Sequence, residues 1–490
     1  MPFDSRGAVT ALQAFIAAVL LLVGFQILVL VPAAVLSKVG VVSGALAYVA
    51  SGVLAIVALV CAVLAIRRAP RWLAEFADDS SVRLGAVLLA IGIGVSLRVL
   101  LIAISNVAPQ SDAKVYTEMA AMLADGKPFY YVGRWAYWPI GYPLLLSGWF
   151  RIGGDSLFGI HLLNVLLYVA MSLGVWRLCK AIGKPAVGRL AVWLLALWPD
   201  LIALSAWPSK ELVAMTLLPW CVALAIVPQA SMGRALWYRL GAGIAGGMLV
   251  LVQPSFILLV PVIPVIAWLA NTQTPRQAVV SWLVLIVAAS ATIAPWTVRN
   301  YRVLGAFVPV ATNGGEVMYR ANNPLATGEY IKVGEVDLWK LPELEANREG
   351  ARLAKEWIVA HPGEFLALAL KKQAFLLEDD AIGVYETFNR GHVGEPVPGV
   401  VYFMLKAACN AYWWLLWVAL GASLIIAMRG AAPGSLAAIA LSLPFLYLYG
   451  VHSIAESGPR YHQPADPFVA VCVAAFLGVA LARRRTDPHA

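Results

Sequence analysis

The sequence predicts an all-α polytopic membrane protein. Three observations carry that expectation: 61% of the 490 residues are hydrophobic and only 13% are charged, the mean hydropathy is +0.79, and apolar stretches long enough to cross a bilayer recur along most of the chain. Soluble domains do not combine this composition with such runs. In hydrocarbon every backbone N–H and C=O must find a partner within the chain, and a stretch of this length does so as a helix.

The apolar stretches fall near residues 9–36, 41–66, 84–104, 157–179, 189–206, 211–228, 239–253, 255–270, 277–297, 400–428, 434–452 and 464–482, which predicts about twelve spans. The first is too long for the apolar core of a signal peptide, has only Arg6 as a basic flank and lacks a small-residue cleavage site, so it reads as a span. Arg67, Arg68, Arg71 and Arg83, then Arg177, Lys180, Lys184 and Arg189, then Arg234, Arg239, Arg276, Arg429 and Arg483 to Arg485 all fall on one side of that arrangement. Basic residues collect in cytoplasmic loops, so this side is the cytoplasmic one and both termini are expected there. The net charge of +9 is thereby a topology signal, and a nucleic-acid partner is not expected. Five cysteines, scattered through apolar stretches with no CxxC pair, read as small core residues.

Four polar pieces are left on the opposite side: residues 105–156, the tight turn "WPSKE", residues 299–399 and the stretch "HSIAESGPRYHQPAD". In the first, Val115, Met119, Met122 and Leu123 recur at helical spacing, Ser111 suits an N-cap, and Gly126 with Pro128 ends the pattern. A short amphipathic helix at the interface is expected there, with a second in "YPLLLSGWFRIGG", which is too short to span. Residues 299–399 read as a Gly- and Asn-rich loop followed by two helices broken at His361-Pro362-Gly363, a cap over a membrane-embedded cavity. Four regions result: 1–83, an N-terminal two-helix addition; 84–298, a transmembrane core with the outer loop 105–156; 299–399, the cap; and 400–490, the C-terminal transmembrane helices.

Several charged residues on the outer side admit two readings. Asp112 either favours the positive end of its helix dipole or acts as general base toward a hydroxyl. Lys210 and Glu211 either pair locally at the interface or meet an anionic substrate. Arg299 and Arg460 lie at outer helix ends, where arginines snorkel, but together with Lys210 they would form a pocket for an anionic headgroup. Arg98 and Asp200, inside apolar runs, are costly unless they face a polar cavity or the interface. Metal binding is not expected, because His452 and His462 are separated by a proline-containing loop and no HExxH, P-loop, GxSxG or DxD pattern is present.

The ordered series "SDAKVYTEMAAMLADGK", "WPIGYPLLL", "PSKELVAM", "LVQPS", "PWTVRNYRVLGAFVPVATNGGEVMYRANNPLATG", "WIVAHPGEFLALALKK" and "GPRYHQPADPFVAV" resembles bacterial C-type (GT-C) glycosyltransferases, relatives of the protein O-mannosyltransferases and the lipid A aminoarabinose transferases. The resemblance covers roughly residues 84–482. It implies a GT-C fold in a bacterial inner membrane, with the active site facing the periplasm. The implied reaction is inverting transfer of a sugar from a polyprenyl-phosphate donor to a glycan, lipid or protein acceptor of the cell envelope, such as lipopolysaccharide. Asp112 matches the family's first-loop acid, its general base; Glu211 matches the acid of the second outer turn, and Arg460 with Tyr461 the basic position near the end. The donor phosphate or sugar is expected at Lys210, Glu211, Arg299, Arg460, Tyr461 and Arg320, with Arg98, Tyr116, Tyr319 and Asn322 bordering the cavity. No cofactor beyond the lipid-linked donor is implied and no divalent metal is expected. The chain departs from the family in its two extra leading spans, in lacking an Asp-Glu pair at Asp112, and in carrying Gln253 where relatives often have arginine. Two alternatives stay open: a transporter or flippase for a lipid-linked anionic substrate, suggested by the many spans and by Arg98 and Asp200, and an O-antigen ligase-like enzyme.

Overall fold

The computed structural model describes residues 16, 18–38, 45–226, 232–270, 273–331, 335–428 and 440–486. Arg6, Arg429 and the beginnings of the stretches 9–36 and 434–452 lie outside the described residues, as do the side chains of Arg483 to Arg485.

Helices built from the apolar stretches dominate the described residues, and the only β pairing among them is a pair of isolated bridges, Val107 with His392 and Tyr131 with Arg134. Where about twelve spans are expected from hydropathy, seven helices among the described residues are long and apolar enough to cross a membrane: Ala45–Arg67, Leu84–Ile104, Leu157–Ala181, Gly233–Val252, Pro275–Leu304, Gly399–Ile426 and Pro459–Ala482. The difference has local causes. Pro199 divides the 189–206 stretch into Pro185–Leu197 and Pro199–Leu204, and prolines make the 255–270 stretch begin as 3-10 turns before the short helix Ile263–Leu269. Lys210–Ile226 has 17 residues, about 25 Å of helix against ~30 Å of hydrocarbon.

Burial orders these helices from periphery to centre. In Ala45–Arg67 only 11% of the most apolar stretch is buried, whereas in Pro459–Ala482 78% is. The former therefore presents Leu46, Val49, Val53 and Ile56 outward, as a lipid-facing helix does. The latter forms the inner post against which Pro185–Leu197 and Gly399–Met428 pack.

Close helix approach rests on small residues. A Cβ on Gly243 would lie 2.5 Å from Ala288 Cβ, and one on Gly247 2.6 Å from Thr292 Cβ, so the Gly243-x-x-x-Gly247 face lets Met232–Val252 lie directly against Pro275–Leu304. Pro275–Leu304 is itself delimited by side-chain chemistry. Thr274 and Gln277 form a capping box at its start, and Gly305 at φ 67° ends it.

Both short helices expected in residues 105–156 form, over Ser111–Ala124 and Gly141–Gly153, and they pack on each other. Ser111 is not the N-cap: it is the first helical residue, at φ 50°, after Gln110, which makes no side-chain capping bond. The far end closes as expected at Gly126, φ 74°, and Arg151 of the second helix donates to Leu123 O and Ala124 O at 2.8 and 3.2 Å, a cation on the carbonyls of a helix C-terminus. The helices Glu343–Ala360 and Pro362–Leu377 break at His361-Pro362 as predicted.

Candidate active site

Three chain segments are pinned together around one pocket. The turn before Lys210 is clamped from Leu157–Ala181: Asn164 Nδ2 donates to Ser205 O and Trp207 O at 3.0 and 2.9 Å, and His161 Nε2 lies 3.0 Å from Ala206 O. Ser209 then opens the next helix, its hydroxyl accepting from Glu211 N at 3.2 Å and donating to Glu211 Oε2 at 2.8 Å. The segment leading to Asp112 is stitched to residues 391–393 by Ala108 N to Gly391 O at 2.8 Å and Val393 N to Asn106 O at 2.9 Å. A side chain at Gly391 would clash with Trp207, a Cβ there falling 2.0 Å from the indole, so only glycine lets these segments meet.

The pocket takes in about 440 Å³, its open mouth included, and its wall includes Asp112, Tyr116, Lys210, Glu211, Glu386, Arg390 and Arg460. Three acids thus face three bases. Arg460 Nη1 donates to Asp112 Oδ2 at 2.9 Å, with the side chains 32% and 43% exposed. Burial would raise the Asp112 carboxyl, but Arg460, then Lys210, outweigh it and hold it below the ordinary aspartate value. Asp112 is therefore ionised at neutral pH. Lys210 makes no salt bridge or hydrogen bond among the described residues; its ammonium lies 6.0 Å from the Tyr116 ring centre. An uncommitted ammonium beside an Arg–Asp pair is suited to receive an anion.

Arg460 is held from behind by a relay. Its Nη2 donates to Tyr461 Oη at 3.1 Å, Tyr461 donates to Glu456 Oε1 at 2.8 Å, and Arg320 binds Glu456 at 2.8 Å and Glu316 at 2.6 Å. Arg320, expected on the donor, is thus spent on two buried carboxylates and stands outside the pocket wall, as does Tyr461.

Arg299 is also elsewhere. Its guanidinium donates to Trp135 O at 2.7 Å and to Phe129 O, and lies 4.6 Å from the Trp296 ring centre, so it braces the first outer loop. Arg98 is buried among helices, donating to Gly94 O and Leu195 O at 3.0 and 3.2 Å and lying 3.5 Å above the Tyr168 ring. Carbonyls and a ring face offset its desolvation without a polar cavity. Tyr319 receives Val336 N at 3.1 Å. Asn322 bonds Met318 O and Ile454 O and accepts from Lys372 Nζ at 2.8 Å, fastening residues of the expected cap to the loop before Arg460. Neither borders the pocket.

Glu386 and Arg390 are on the wall but were not singled out in the sequence. They lie in "AIGVYETFNRGH", where the one available signal is an acid four residues before an arginine, a routine helical pair. Asp200 positions them: it accepts from Gly383 N at 2.7 Å, Val384 N at 3.4 Å and Gln463 Nε2 at 2.8 Å, capping the turn that leads into Glu386. Nearby, His462 Nδ1 lies 2.9 Å from Asp466 Oδ1 and Nε2 lies 3.9 Å from Asp380 Oδ1. These three are the residues among those described whose ligand atoms, within 4.8 Å of one another, could hold a metal ion. The Nδ1 contact turns the imidazole toward Asp466 as in a carboxylate–histidine dyad, leaving Nε2 with Asp380 alone.

No family model and no curated protein matches the sequence. Solved structures do. The oligosaccharyltransferase of Archaeoglobus fulgidus in its apo form aligns over 81% of this chain and 50% of its own, with a TM-score of 0.50 and 15% identity. The same enzyme tethered to an acceptor peptide containing the NVT sequon aligns over 81% and 49%, with a TM-score of 0.46 and 14% identity. ArnT from Cupriavidus metallidurans bound to undecaprenyl phosphate aligns over 83% and 79%, with a TM-score of 0.40 and 13% identity. The chain spans about half the length of the oligosaccharyltransferase it matches. The likeness is one of fold: the structure is similar to GT-C enzymes at low sequence identity.

Proposed function

We propose that the protein is an inverting membrane glycosyltransferase that moves a sugar from a polyprenyl-phosphate donor to an acceptor hydroxyl on the periplasmic side of a bacterial inner membrane. The observation that carries this reading is the pocket that sets the ionised Asp112 beside the uncommitted Lys210 and the guanidinium of Arg460. The likeness in fold to an oligosaccharyltransferase supports it. Residues 105–156 supply the base in this reading, and residues 299–399 cover the site.

The step balances with these groups. Asp112 takes the proton of the acceptor hydroxyl as its oxygen bonds to the anomeric carbon; the bond from that carbon to the phosphate oxygen breaks, and its electron pair leaves on the phosphate. Lys210 and Arg460 stabilise the charge that develops there, so the step needs no metal. At rest Arg460 is bound to Asp112. An arriving phosphate competes for that guanidinium, loosening its hold on Asp112 and raising the basicity of the carboxylate where the acceptor enters. The acceptor class is lipid A or its core, a surface polysaccharide, a glycolipid or a protein.

The test is transfer from undecaprenyl-phosphate sugars to envelope extracts by protein in nanodiscs. Asp112→Asn is expected to abolish transfer while keeping the fold and undecaprenyl phosphate binding; unchanged turnover would sink the assignment. Movement of the lipid across the bilayer with no new glycosidic bond would favour a flippase.

A further inference from the structure

Resting on the glycosyl-transfer reading, we propose that Glu386 is a sugar-recognition residue: its carboxylate accepts a hydrogen bond from a hydroxyl of the sugar carried by the donor lipid.

The acids of the pocket are not equivalent. Asp112 Oδ2 is taken by Arg460, and Glu211 Oε2 by the Ser209 hydroxyl. Glu386 Oε1 accepts from Arg390 Nη1 at 2.8 Å, but Oε2 is buried without a partner. Among the described residues it is the buried carboxylate oxygen of the pocket wall that lacks a donor. A carboxylate oxygen removed from water and left unbonded is costly, and on a pocket wall, unlike the sealed positions of Asp380 Oδ1 and Asp466 Oδ2, its partner can arrive with the substrate.

The chemistry of that partner follows from the surroundings. Asp112, Glu211 and Glu386 already face Lys210, Arg390 and Arg460, so a further cation is not called for and a neutral O–H donor is. Glu386 is paired directly with Arg390 at 2.8 Å and lies within the electrostatic reach of Arg460 as well as of Glu211 and Asp112. A phosphate held by those cations carries its sugar with it by a covalent bond. That tether brings a donor-sugar hydroxyl to Glu386, while the acceptor is taken up by Asp112. Burial pushes the Glu386 carboxyl up to about 7 against the pull of Arg390 and Arg460. Near neutrality it can therefore both accept and donate, which matches a hydroxyl.

The backbone is shaped to present this side chain. Residues Glu386–Arg390 form a π-helical turn closed by Gly391 N to Glu386 O at 2.9 Å. Such turns are frequent at functional sites because the wide turn re-aims a side chain. This one is fixed from both ends, by the Asp200 cap before it and the Gly391–Trp207 contact after it.

The experiment is a binding series with the full chain in nanodiscs, using bare undecaprenyl phosphate and undecaprenyl-phosphate hexoses and pentoses. The proteins compared are wild type, Glu386→Ala and Glu386→Asp, the last keeping the charge and withdrawing the oxygen by one methylene. Wild type is expected to bind one sugar-bearing lipid about tenfold more tightly than the bare phosphate lipid, and both variants to lose most of that gain, with Glu386→Asp, which keeps the charge beside Arg390, binding the bare lipid within about twofold of wild type. Should Glu386→Ala fail to fold, Glu386→Asp carries the same expectation. Retention of the full sugar gain by Glu386→Asp and Glu386→Ala overturns the proposal, as does a wild type that binds every sugar-bearing lipid no better than the bare one. In either case the bare lipid still reports the phosphate site. A wild type that fails to bind the bare lipid overturns the glycosyl-transfer reading and this proposal with it.

Discussion

Arg460 and Asp466 belong to the same final segment of the chain, yet they serve opposite kinds of charged cluster. Arg460 faces an open pocket, 32% exposed and paired with a half-exposed Asp112. Asp466 is sealed, and so are His462, Asp380 and Asp200 around it, each exposing 1% or less. In the sealed cluster the charges bond backbone and one another: Asp200 holds the amides of Gly383 and Val384, Asp380 accepts from Trp198 Nε1 at 2.6 Å, and His462 stacks on Trp413 at 4.7 Å between ring centres. Among the described residues both clusters hold unpartnered atoms, Asp380 Oδ1, Asp466 Oδ2 and His462 Nε2 in the sealed one and Glu386 Oε2 with the Lys210 ammonium in the open one, but it is the second set that lies on the wall of the pocket. The lesson is that buried charge alone does not mark a reactive site. What marks it is bonding capacity left unspent next to space.

Substitutions can break or sharpen that contrast. The largest effect is expected for Asp112→Asn, which should lower transfer roughly a thousandfold, equivalent to about 4 kcal/mol, with the unfolding temperature within a few degrees of wild type. Turnover of a labelled donor and a thermal melt measure both sides of it. Asp200→Ala should do the reverse. It strands the amides of Gly383 and Val384 and the Gln463 side chain, and is expected to cost about 3 kcal/mol of stability in a denaturant titration. A melt indistinguishable from wild type would place Asp200 outside the structural cluster.

Lys210→Met comes next, with an expected loss of about tenfold in undecaprenyl phosphate affinity, or about 1.4 kcal/mol, read by ligand titration. Arg299→Met, by contrast, should leave that affinity within about twofold, because its donors are bound to carbonyls of the first outer loop.

The smallest effect is that of pH on the Asp112–Arg460 pair. Asp112 is held below its ordinary value, so the stability it contributes is present above that value and is lost as pH falls through the lower folded one. Both side chains are about a third or more exposed, so solvent screening limits the loss to under ~1 kcal/mol. Melts of wild type and Asp112→Asn between neutral and strongly acid pH should therefore converge by no more than that amount.

Much of the candidate site was legible in the chain itself. Asp112, Lys210, Glu211 and Arg460 stand out as charges in short polar pieces between apolar stretches, and Tyr116 lies one helical turn from Asp112; the folded protein brings all five to one wall. Arg299 and Arg320 carry the same sequence signal and are spent elsewhere, on carbonyls and on Glu316 and Glu456. Glu386 and Arg390 carry almost no signal and yet line the pocket. The reason is common to all four. Sequence shows which groups bear charge and which of them fall in polar pieces between apolar stretches, but a guanidinium or carboxylate is available to substrate only if no neighbour has claimed its lone pairs or protons.

The same division holds for the fold. Composition and hydropathy determined that the chain is helical and built for lipid, because a backbone in hydrocarbon has no other local way to satisfy itself. The stop at Gly126, the breaks at Pro199 and His361-Pro362 and the short helix carrying Asp112 are equally local, set by residues within a turn of where they act. Tertiary structure alone decided that Gly391 meets Trp207 and that Asp112 closes on Arg460 from 348 residues away. Those outcomes depend on packing and on competition among distant polar groups for the same bonds, quantities that exist only once the helices are side by side.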